Sequence, residues 1–372
     1  MEKFDNPINV TRAFLPPFEE YVNEIKNLWD SHWITNNGKY HSLFQSEVER
    51  HLKVDNTSLF SNGHLALDIA IKSLNLTGEV ITTPFTFIST THAITMNNLT
   101  PVFCDIKLDD FTIDVDKIEN LITEETSAII PVHVYGTPCE IYKLQNIADK
   151  YNLKIIYDAA HAFGVEVDSQ GIGSFGDVSM FSLHATKIFN SVEGGLLAYN
   201  NEAYKKLFYL YKNFGITGPE TVEIVGLNAK MNEFQATMGL LNLKYVYDEI
   251  NNRKKIVSIY RDKLNNVDGL YFLRDKENIK GNYSYFPIVI DETKAKISRD
   301  LLFEKLKEYN VFARKYFYPL VTDCECYRGK FSDYKLPNAK YISDRVLTIP
   351  LYGDLGIEAA EKIADIIVML VK

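Results

Sequence analysis

The sequence has few cysteines, and they are not spaced like metal ligands. Its 372 residues include Cys104, Cys139, Cys324 and Cys326. One residue separates the last two, which is too tight for the usual zinc spacing, and no histidine pair stands near them. We therefore expect no metal site, and thiols that stay reduced, as is typical of a cytoplasmic protein.

Positive charge and long hydrophobic runs are also scarce. The formal net charge is −9, which argues against a nucleic-acid or anionic-membrane partner but does not exclude a local basic site for a phosphorylated ligand. The opening MEKFDNPINVT lacks the apolar stretch of a signal peptide. The longest apolar run, IADIIVMLV, is too short to span a bilayer. We expect a cytoplasmic protein that binds neither nucleic acid nor membrane.

The length of the chain predicts more than one hydrophobic core. Hydrophobic residues make up 46% and charged residues 24%, as in ordinary globular proteins, which excludes wholesale disorder. The pattern of apolar and helical segments changes after about residue 250. We expect a large domain over 1–250, with its first 55 residues forming a helical arm, and a smaller C-terminal domain over 251–372.

Short apolar runs alternate with helical segments between about residues 58 and 200. The expected strands are EVITT (79–83), PVFCD (101–105), AIIPVHV (128–134), LKIIYD (153–158), SMFSL (179–183) and GGLLAYN (194–200). Near-continuous apolar strands separated by helices indicate an α/β fold with a mainly parallel sheet, covered on both faces. A helical stretch from residue 228 to 264 is expected to bridge the domains. The rest of the chain is sufficient for a small α/β domain.

Polar residues follow several of these segments, where the ligand sites of such sheets lie. The turn before the helix that starts near Leu65 contains Gly63 and His64. This turn suits a phosphate, although it would serve equally well as an ordinary helix cap. Asp158 closes one strand, where a carboxylate binds a ring nitrogen, a metal or a ribose, or simply caps the chain.

Two further features indicate a catalytic site only in combination with others. In FSLHATK, Ser182, His184 and Lys187 follow a strand, and a lysine in an apolar setting has a lowered pKa and can form a Schiff base. A lone lysine is usually a solvated charge, and a lone histidine usually packs. Phe87 is placed to stack on a flat cofactor or to join the core. Together, the phosphate turn, stacking aromatic, acid and lysine are the parts that hold pyridoxal 5′-phosphate (PLP).

The order of these parts along the chain resembles one family. The sequence is similar to the PLP-dependent nucleotide-sugar aminotransferases of the DegT/StrS type, within the fold type I aspartate aminotransferase superfamily. The resemblance covers nearly the whole chain, through WITNNG (33–38), SNGHLAL (61–67), PFTF (84–87), PVHVYG (131–136), DAAHA (158–162), SLHATK (182–187), NAKMN (228–232), YPL (318–320) and LTIPLY (347–352). It implies a large domain with a mixed, mainly parallel seven-stranded sheet between helices, and a smaller C-terminal α/β domain.

The resemblance also implies roles for individual residues. Lys187 is the catalytic residue and the Schiff-base lysine, while PLP is held by Gly63, His64, Phe87, Asp158, His161, Ser182 and Asn228. Asn228 reaches the phosphate of a neighbouring subunit, so the implied enzyme is a homodimer with shared sites. The sugar nucleotide is expected at His184, Arg314 and Tyr318. Many members have a threonine where this chain has His64, so a side-chain hydroxyl contact to the phosphate is lost there.

Within the family, HATKIFNSVEGG, WITNNG and RKYFYPL are most similar to enzymes that aminate C4 of dTDP-4-keto-6-deoxy-D-glucose, with L-glutamate as the amino donor. Such products enter surface polysaccharides or natural products. A 3-keto-sugar, or a UDP- or GDP-linked 4-keto-sugar, is the alternative substrate. Lys187 argues against C3 dehydration, because members that dehydrate have histidine there. A non-enzymatic PLP-binding regulator is the remote alternative.

Overall fold

The largest sheet of the protein has seven strands and confirms the predicted α/β class. The computed structural model describes residues 1–331 and 333–372. The strands are β1 (Asn56–Phe60), β2 (Glu79–Thr82), β3 (Thr100–Phe103), β4 (Thr126–Ile129), β5 (Lys154–Asp158), β6 (Val178–Ser182) and β7 (Gly195–Tyr199). Their order is β1-β7-β6-β5-β4-β2-β3, and only β7 runs against the others. The sheet is therefore mixed and mainly parallel, as expected.

Helices cover both faces of this sheet. The helices of the chain are α1 (Phe18–Ser31), α2 (Lys39–Leu52), α3 (Gly63–Ser73), α4 (Ile88–Met96), α5 (Val115–Ile118), α6 (Ile141–Tyr151), α7 (Ala203–Lys212), α8 (Glu233–Leu243), α9 (Val246–Leu264), α10 (Arg299–Glu308), α11 (Pro337–Arg345) and α12 (Ile357–Val371). Side chains alternate between the faces along each strand. In β5, Ile155 and Tyr157 join one apolar core with α2, α6 and α8, whereas Ile156 joins a second core with α3, α4 and α7.

The structure differs from the sequence-based expectation in two elements. Strand β1 was absent from the predicted set, since Asn56–Phe60 begins with polar residues. The helical stretch expected from residue 228 is divided into α8 and α9, which are separated by Lys244 and Tyr245. Helix α8 begins with a capping box, in which Asn232 and Gln235 satisfy each other's backbone N–H groups, so the helix starts later than its apolar pattern suggests.

A third core lies in the C-terminal part of the chain. Strands β8 (Leu270–Phe272), β9 (Phe286–Ile290) and β10 (Val346–Ile349) form an antiparallel sheet in that order, and α9, α10 and α12 contribute to its core. Helix α9 runs past residue 250; its Ile250 joins the main core and its Ile256 the C-terminal one. The division after residue 250 stays a prediction.

The N-terminal segment contacts both parts of the chain. Helices α1 and α2 pack on α8. Ahead of them, Ile8–Asn9 pairs in parallel with Val311–Phe312, and Phe4 and Ile8 pack on the C-terminal core. The first residues thus lie on the C-terminal unit, although the whole arm was expected on the main domain. Within residues 1–331 and 333–372, no helix is both long and apolar enough to cross a membrane.

Candidate active site

A cavity of about 630 Å³ opens at the carboxyl ends of the central strands, between the main domain and the C-terminal unit. Loops after β1 and β2, the ends of β5 and β6, the loop 183–194, and the segment 314–317 surround it. The cavity brings together nine of the sequence-predicted residues, namely Gly63, His64, Phe87, Asp158, His161, Ser182, His184, Lys187 and Arg314.

One wall of the cavity is the N-terminus of α3. Asn62 caps this helix by accepting a hydrogen bond of 2.9 Å from the Leu65 N–H. Gly63 is the first helical residue, and a Cβ there would lie 3.2 Å from the backbone of Ser182. Glycine thus allows the end of β6 to approach the helix terminus. The free N–H groups and positive dipole end of α3 suit a phosphate. His64 adds an imidazole whose Nδ1 lies 2.8 Å from Ser89 Oγ.

Asp158 lies at the end of β5 with both carboxylate oxygens hydrogen-bonded. The Thr90 hydroxyl donates to Oδ2 at 2.7 Å, and the Ala160 N–H donates to Oδ1 at 3.1 Å. Burial raises the pKa of Asp158, and these two donors oppose that rise. Thr90 was missed by the sequence analysis. The available signal was its position one helical turn after Thr86, whose hydroxyl lies 2.9 Å from that of Thr90.

Lys187 belongs to the loop 183–194, which connects β6 to β7. The loop is closed by a hydrogen bond from the Leu183 N–H to the Gly194 carbonyl at 2.8 Å. Desolvation lowers the pKa of Lys187 to about 8, with Arg314 lowering it further and Asp158 opposing the change. Near pH 8 about half of this amine is therefore neutral and able to act as a nucleophile or base.

His161 faces the cavity as a neutral ring. Its Nδ1 accepts a hydrogen bond of 3.1 Å from the Tyr135 N–H, which leaves the proton on Nε2, 3.4 Å from the Tyr316 hydroxyl. Desolvation holds the pKa of His161 well below its ordinary value, and the positive charges of Lys187 and Arg314 add to this. Since an Nε2–H can only donate, His161 offers the cavity a hydrogen-bond donor without a charge.

Three further predicted residues line the outer part of the cavity. Phe87 is 49% exposed, so a large part of its ring is free to contact a ligand. His184 places Nε2 3.4 Å from Glu193 Oε1, while its Nδ1 accepts from the Thr186 N–H at 3.2 Å. The guanidinium of Arg314 lies 4.2 Å from the ring centre of Tyr316, a stacking that holds its planar fork in place.

Two predicted residues lie outside the cavity of their own chain. Tyr318 is 45% exposed, and its ring lies 4.6 Å from the guanidinium of Arg299. The aromatic residues of that segment that do line the cavity are Tyr316 and Phe317, which the sequence analysis missed together with Tyr285. Asn228 is exposed, and its Oδ1 accepts from Lys230 Nζ at 2.9 Å. The roles of Tyr318 and Asn228 stay predictions.

The chemistry of this donor set fits PLP. An amine with a lowered pKa, a buried carboxylate and a helix N-terminus match the aldehyde, ring nitrogen and phosphate of that cofactor. Ser182, whose Cα and Cβ lie beside Gly63, and the exposed face of Phe87 add a hydroxyl and a flat apolar surface. Such an arrangement can hold an anionic, aromatic ligand and move protons beside it.

Comparisons with known proteins identify the family of the chain. The sequence profile of the DegT/DnrJ/EryC1/StrS aminotransferase family matches residues 18–368. The chain is 42% identical to a dTDP-4-amino-4,6-dideoxy-D-glucose transaminase of Escherichia coli over 98% of both chains. It is 41% identical to the enzyme of that name from Shigella dysenteriae, over 98% of this chain and 99% of that one.

A solved structure is also similar to this chain. The crystal structure of DesI in the presence of its TDP-sugar product superposes with a TM-score of 0.94 at 33% identity, covering 99% of this chain and 94% of that one. Both comparisons cover almost the full length of the chain. The chain belongs to the DegT/DnrJ/EryC1/StrS aminotransferase family and is a sugar aminotransferase.

Proposed function

We propose that this protein transfers the amino group of L-glutamate to C4 of dTDP-4-keto-6-deoxy-D-glucose, giving dTDP-4-amino-4,6-dideoxy-D-glucose, with PLP as its cofactor. The supporting observation is the presence of Lys187 and Asp158 in one cavity, in a chain 41–42% identical to enzymes named for that product. The product would enter surface polysaccharide, such as lipopolysaccharide O-antigen, or a natural product. A cytoplasmic location stays part of the proposal.

Each part of the cofactor has a candidate partner. When bound, PLP supplies an electron sink that makes the Cα–H bond of an amino acid easier to break. Asp158 would hold a proton on the ring nitrogen, because a buried carboxylate stabilises a neighbouring cation. His161 would donate its Nε2–H to an oxygen of the ring. The remaining holding residues are Lys187 for the aldehyde carbon, Phe87 for the ring face, and Gly63, His64 and Ser182 for the phosphate.

Lys187 would also move the protons of the reaction. Desolvation lowers the pKa of its Nζ to about 8 in the protein alone, and a pKa near neutrality suits a group that accepts and returns protons. Nζ would take the proton from Cα of glutamate in the first half of the reaction and deliver it to the cofactor carbon that Lys187 had held. In the second half, Nζ would remove a proton from that same carbon and deliver it to C4 of the sugar. One side chain thereby serves as covalent anchor, base and acid.

Both substrates are anionic, and the outer cavity offers positive and polar groups to them. Arg314 has a planar guanidinium suited to a phosphate or carboxylate. His184, held between Thr186 and Glu193 at the edge of the cavity, is a candidate for the sugar hydroxyls. Tyr318 lies farther out, at the surface, where it would contact the nucleotide part of the substrate.

The proposed enzyme is a homodimer with shared active sites. Asn228 lies in an exposed segment beside strongly exposed apolar side chains, among them Val222 at 67% and Val225 at 89%. Exposed apolar patches of this kind mark protein interfaces. A second copy that covers them would receive Asn228 at its own phosphate site, so the monomer would lack one part of the cofactor site.

The absorbance spectrum of the PLP-loaded protein tests the proposal. L-Glutamate is added first, and dTDP-4-keto-6-deoxy-D-glucose second. We expect the visible band of the bound cofactor to disappear with glutamate and to return with the sugar. The Lys187→Ala variant is the control, since it can bind the cofactor but lacks the group that moves the proton.

The outcomes separate the alternatives. Loss of the band without its return supports the aminotransferase but contradicts this sugar, and the assay is then repeated with UDP- and GDP-linked 4-keto-sugars and a 3-keto-sugar. A protein that develops no cofactor band after PLP is supplied would contradict the proposed cofactor. A band that does not respond to glutamate would favour the PLP-binding regulator.

A further inference from the structure

Asn282 and Ser284, two buried polar residues of the C-terminal part of the chain, contact His161 of the main domain. The region where these two parts of the chain meet is the domain junction. Asn282 Nδ2 donates to the backbone carbonyls of His161 at 2.8 Å and Phe163 at 2.9 Å. Ser284 Oγ donates to the same His161 carbonyl at 2.6 Å. Asn282 and Ser284 are 1% and 4% exposed, so water does not replace these hydrogen bonds. Neither residue lines the main cavity.

Asn282 also packs against the turn that holds the imidazole of His161. That turn contains Tyr135, whose N–H donates to His161 Nδ1, and Gly136. A Cβ on Gly136 would lie 2.6 Å from Asn282 Oδ1 and 2.9 Å from the His161 carbonyl oxygen. Glycine is needed there, both for this close approach and for a φ of +88°. Asn282 therefore contacts the backbone of His161 and the turn that supplies its hydrogen-bond donor.

The loop 282–284 is itself fixed from α9. Arg253 Nη1 donates to the Ser284 carbonyl at 3.0 Å, and its Nε donates to Glu249 Oε1 at 2.7 Å. Glu249 Oε1 also accepts from the Gly353 N–H at 2.9 Å. Within the loop, the Ser284 N–H donates to Asn282 Oδ1 at 3.1 Å, which fixes the orientation of the amide. A hydrogen-bonded path thus leads from the core of the C-terminal unit to His161.

We propose that Asn282 and Ser284 are positioning residues, which hold His161 so that its Nε2–H faces the bound cofactor. The proposal rests on the proposed function, because it assigns the donor to the PLP ring. A donor aimed at an acceptor stabilises its anionic form and lowers its pKa. Loss of the hydrogen bonds from these two residues would weaken the donation by His161, and the pKa of the cofactor would rise. The other titratable groups facing His161 are Tyr135, Asp158, Lys187, Tyr285, Arg314 and Tyr316.

The test is a pH titration of the absorbance of the PLP-loaded protein, without substrate. Asn282→Ala should raise the titration midpoint by about 0.5 pH units, the equivalent of one weakened hydrogen bond. Asn338→Ala is the matched control. Asn338 Nδ2 likewise donates across the junction, to the Ile106 carbonyl at 2.8 Å, but away from the cavity, so its midpoint should not change.

Two more measurements keep the test decisive. Thermal unfolding of the apo variants shows whether they fold, and if Asn282→Ala does not, Ser284→Ala replaces it and should shift the midpoint the same way. Equal midpoints in a folded, loaded variant and the parent would overturn the proposal, as would an equal shift in Asn338→Ala. If the parent itself forms no cofactor band, it is the proposed function that fails, which distinguishes the two failures.

Discussion

The cavity and the domain junction behind it bury charge in different ways. At the junction, Arg253 and Glu249 form a direct ion pair at 2.7 Å, and backbone groups complete their hydrogen bonding. In the cavity, burial raises the pKa of Asp158 and lowers that of Lys187 to about 8, so desolvation outweighs their mutual attraction. A buried charge with a direct partner fixes geometry, whereas buried groups whose pKa values are shifted by desolvation are typical of functional sites.

The largest expected effect is a difference in activity between variants of two lysines, Lys187 and Lys212, that have similar pKa values. Desolvation lowers the pKa of both Lys187 and Lys212 to about 8, but Lys212 lies outside the cavity and donates to the Leu59 carbonyl at 3.0 Å. Lys187→Ala should reduce transamination at least 10³-fold, on the order of the loss when an acid–base and covalent group is removed. Lys212→Met should leave kcat nearly unchanged. Steady-state kinetics of both variants decides, and a comparable loss in Lys212→Met would contradict the distinction.

Breaking the junction pair should affect stability first. Arg253→Met leaves Glu249 buried without its partner, at a cost of about 3–5 kcal/mol in the free energy of unfolding. Replacing both residues, Arg253→Met with Glu249→Leu, should cost less than the single change, because no charge remains buried. Urea unfolding of the apo protein measures both. If the double variant were less stable than the single one, the pair would not be a compensated structural element.

In the cavity, the carboxylate of Asp158 can be weakened in steps. Asp158→Asn removes its charge and should lower kcat/KM about 100-fold, as is typical for loss of one electrostatic contact to a reacting group. Thr90→Val removes only the hydroxyl donor and should cost about 10-fold, the value of one hydrogen bond to a charged group. Thr95→Val is the control on the same helix, since Thr95 donates to the Thr91 carbonyl instead. Equal losses in Thr90→Val and Thr95→Val would contradict the role of Thr90.

The smallest effect concerns pH. Only the neutral amine of Lys187 captures PLP, and a pKa of about 8 leaves roughly a tenth of it neutral at pH 7 and half at pH 8. The rate at which apo protein captures PLP should therefore rise about fivefold between these pH values and level off above pH 9. Stopped-flow absorbance follows this rate. A rate that still rises at pH 10 would indicate a lysine with an ordinary pKa.

Much of the fold follows from local sequence pattern. Buried parallel strands such as β5 and β6 are continuous apolar runs, and their positions were predicted to within about two residues. Strand β1 was missed because its polar first residues, Asn56 and Thr57, hide the pattern. The pairing of Ile8 with Val311 could not be predicted either, because it depends on contacts between distant parts of the chain.

The candidate site shows the same limit. Residues directly after strands or at helix starts, such as Asp158 and Gly63, line the cavity as their positions suggested. In the segment after residue 314, residue type could not distinguish Tyr316 from Tyr318. The path of the chain places Tyr316 and Phe317 at the cavity, while the ring of Tyr318 lies against Arg299. Thr90 and Asn282 act through other residues, so no motif marks them.

The antiparallel strand β7 closes the loop 183–194, which contains Lys187, at the sheet itself. Because β7 lies between β1 and β6, with Gly195 opposite both Phe60 and Ser182, the loop 183–194 leaves and re-enters the sheet at one edge. Its two ends are joined by a strand pair rather than through a helix on one face. The position of Lys187 therefore does not depend on a crossover helix. It depends on the strand pair that closes the loop and on helix α8, whose Asn242 and Gln235 side chains donate to the Asn190 and Glu193 carbonyls at 2.9 and 2.8 Å.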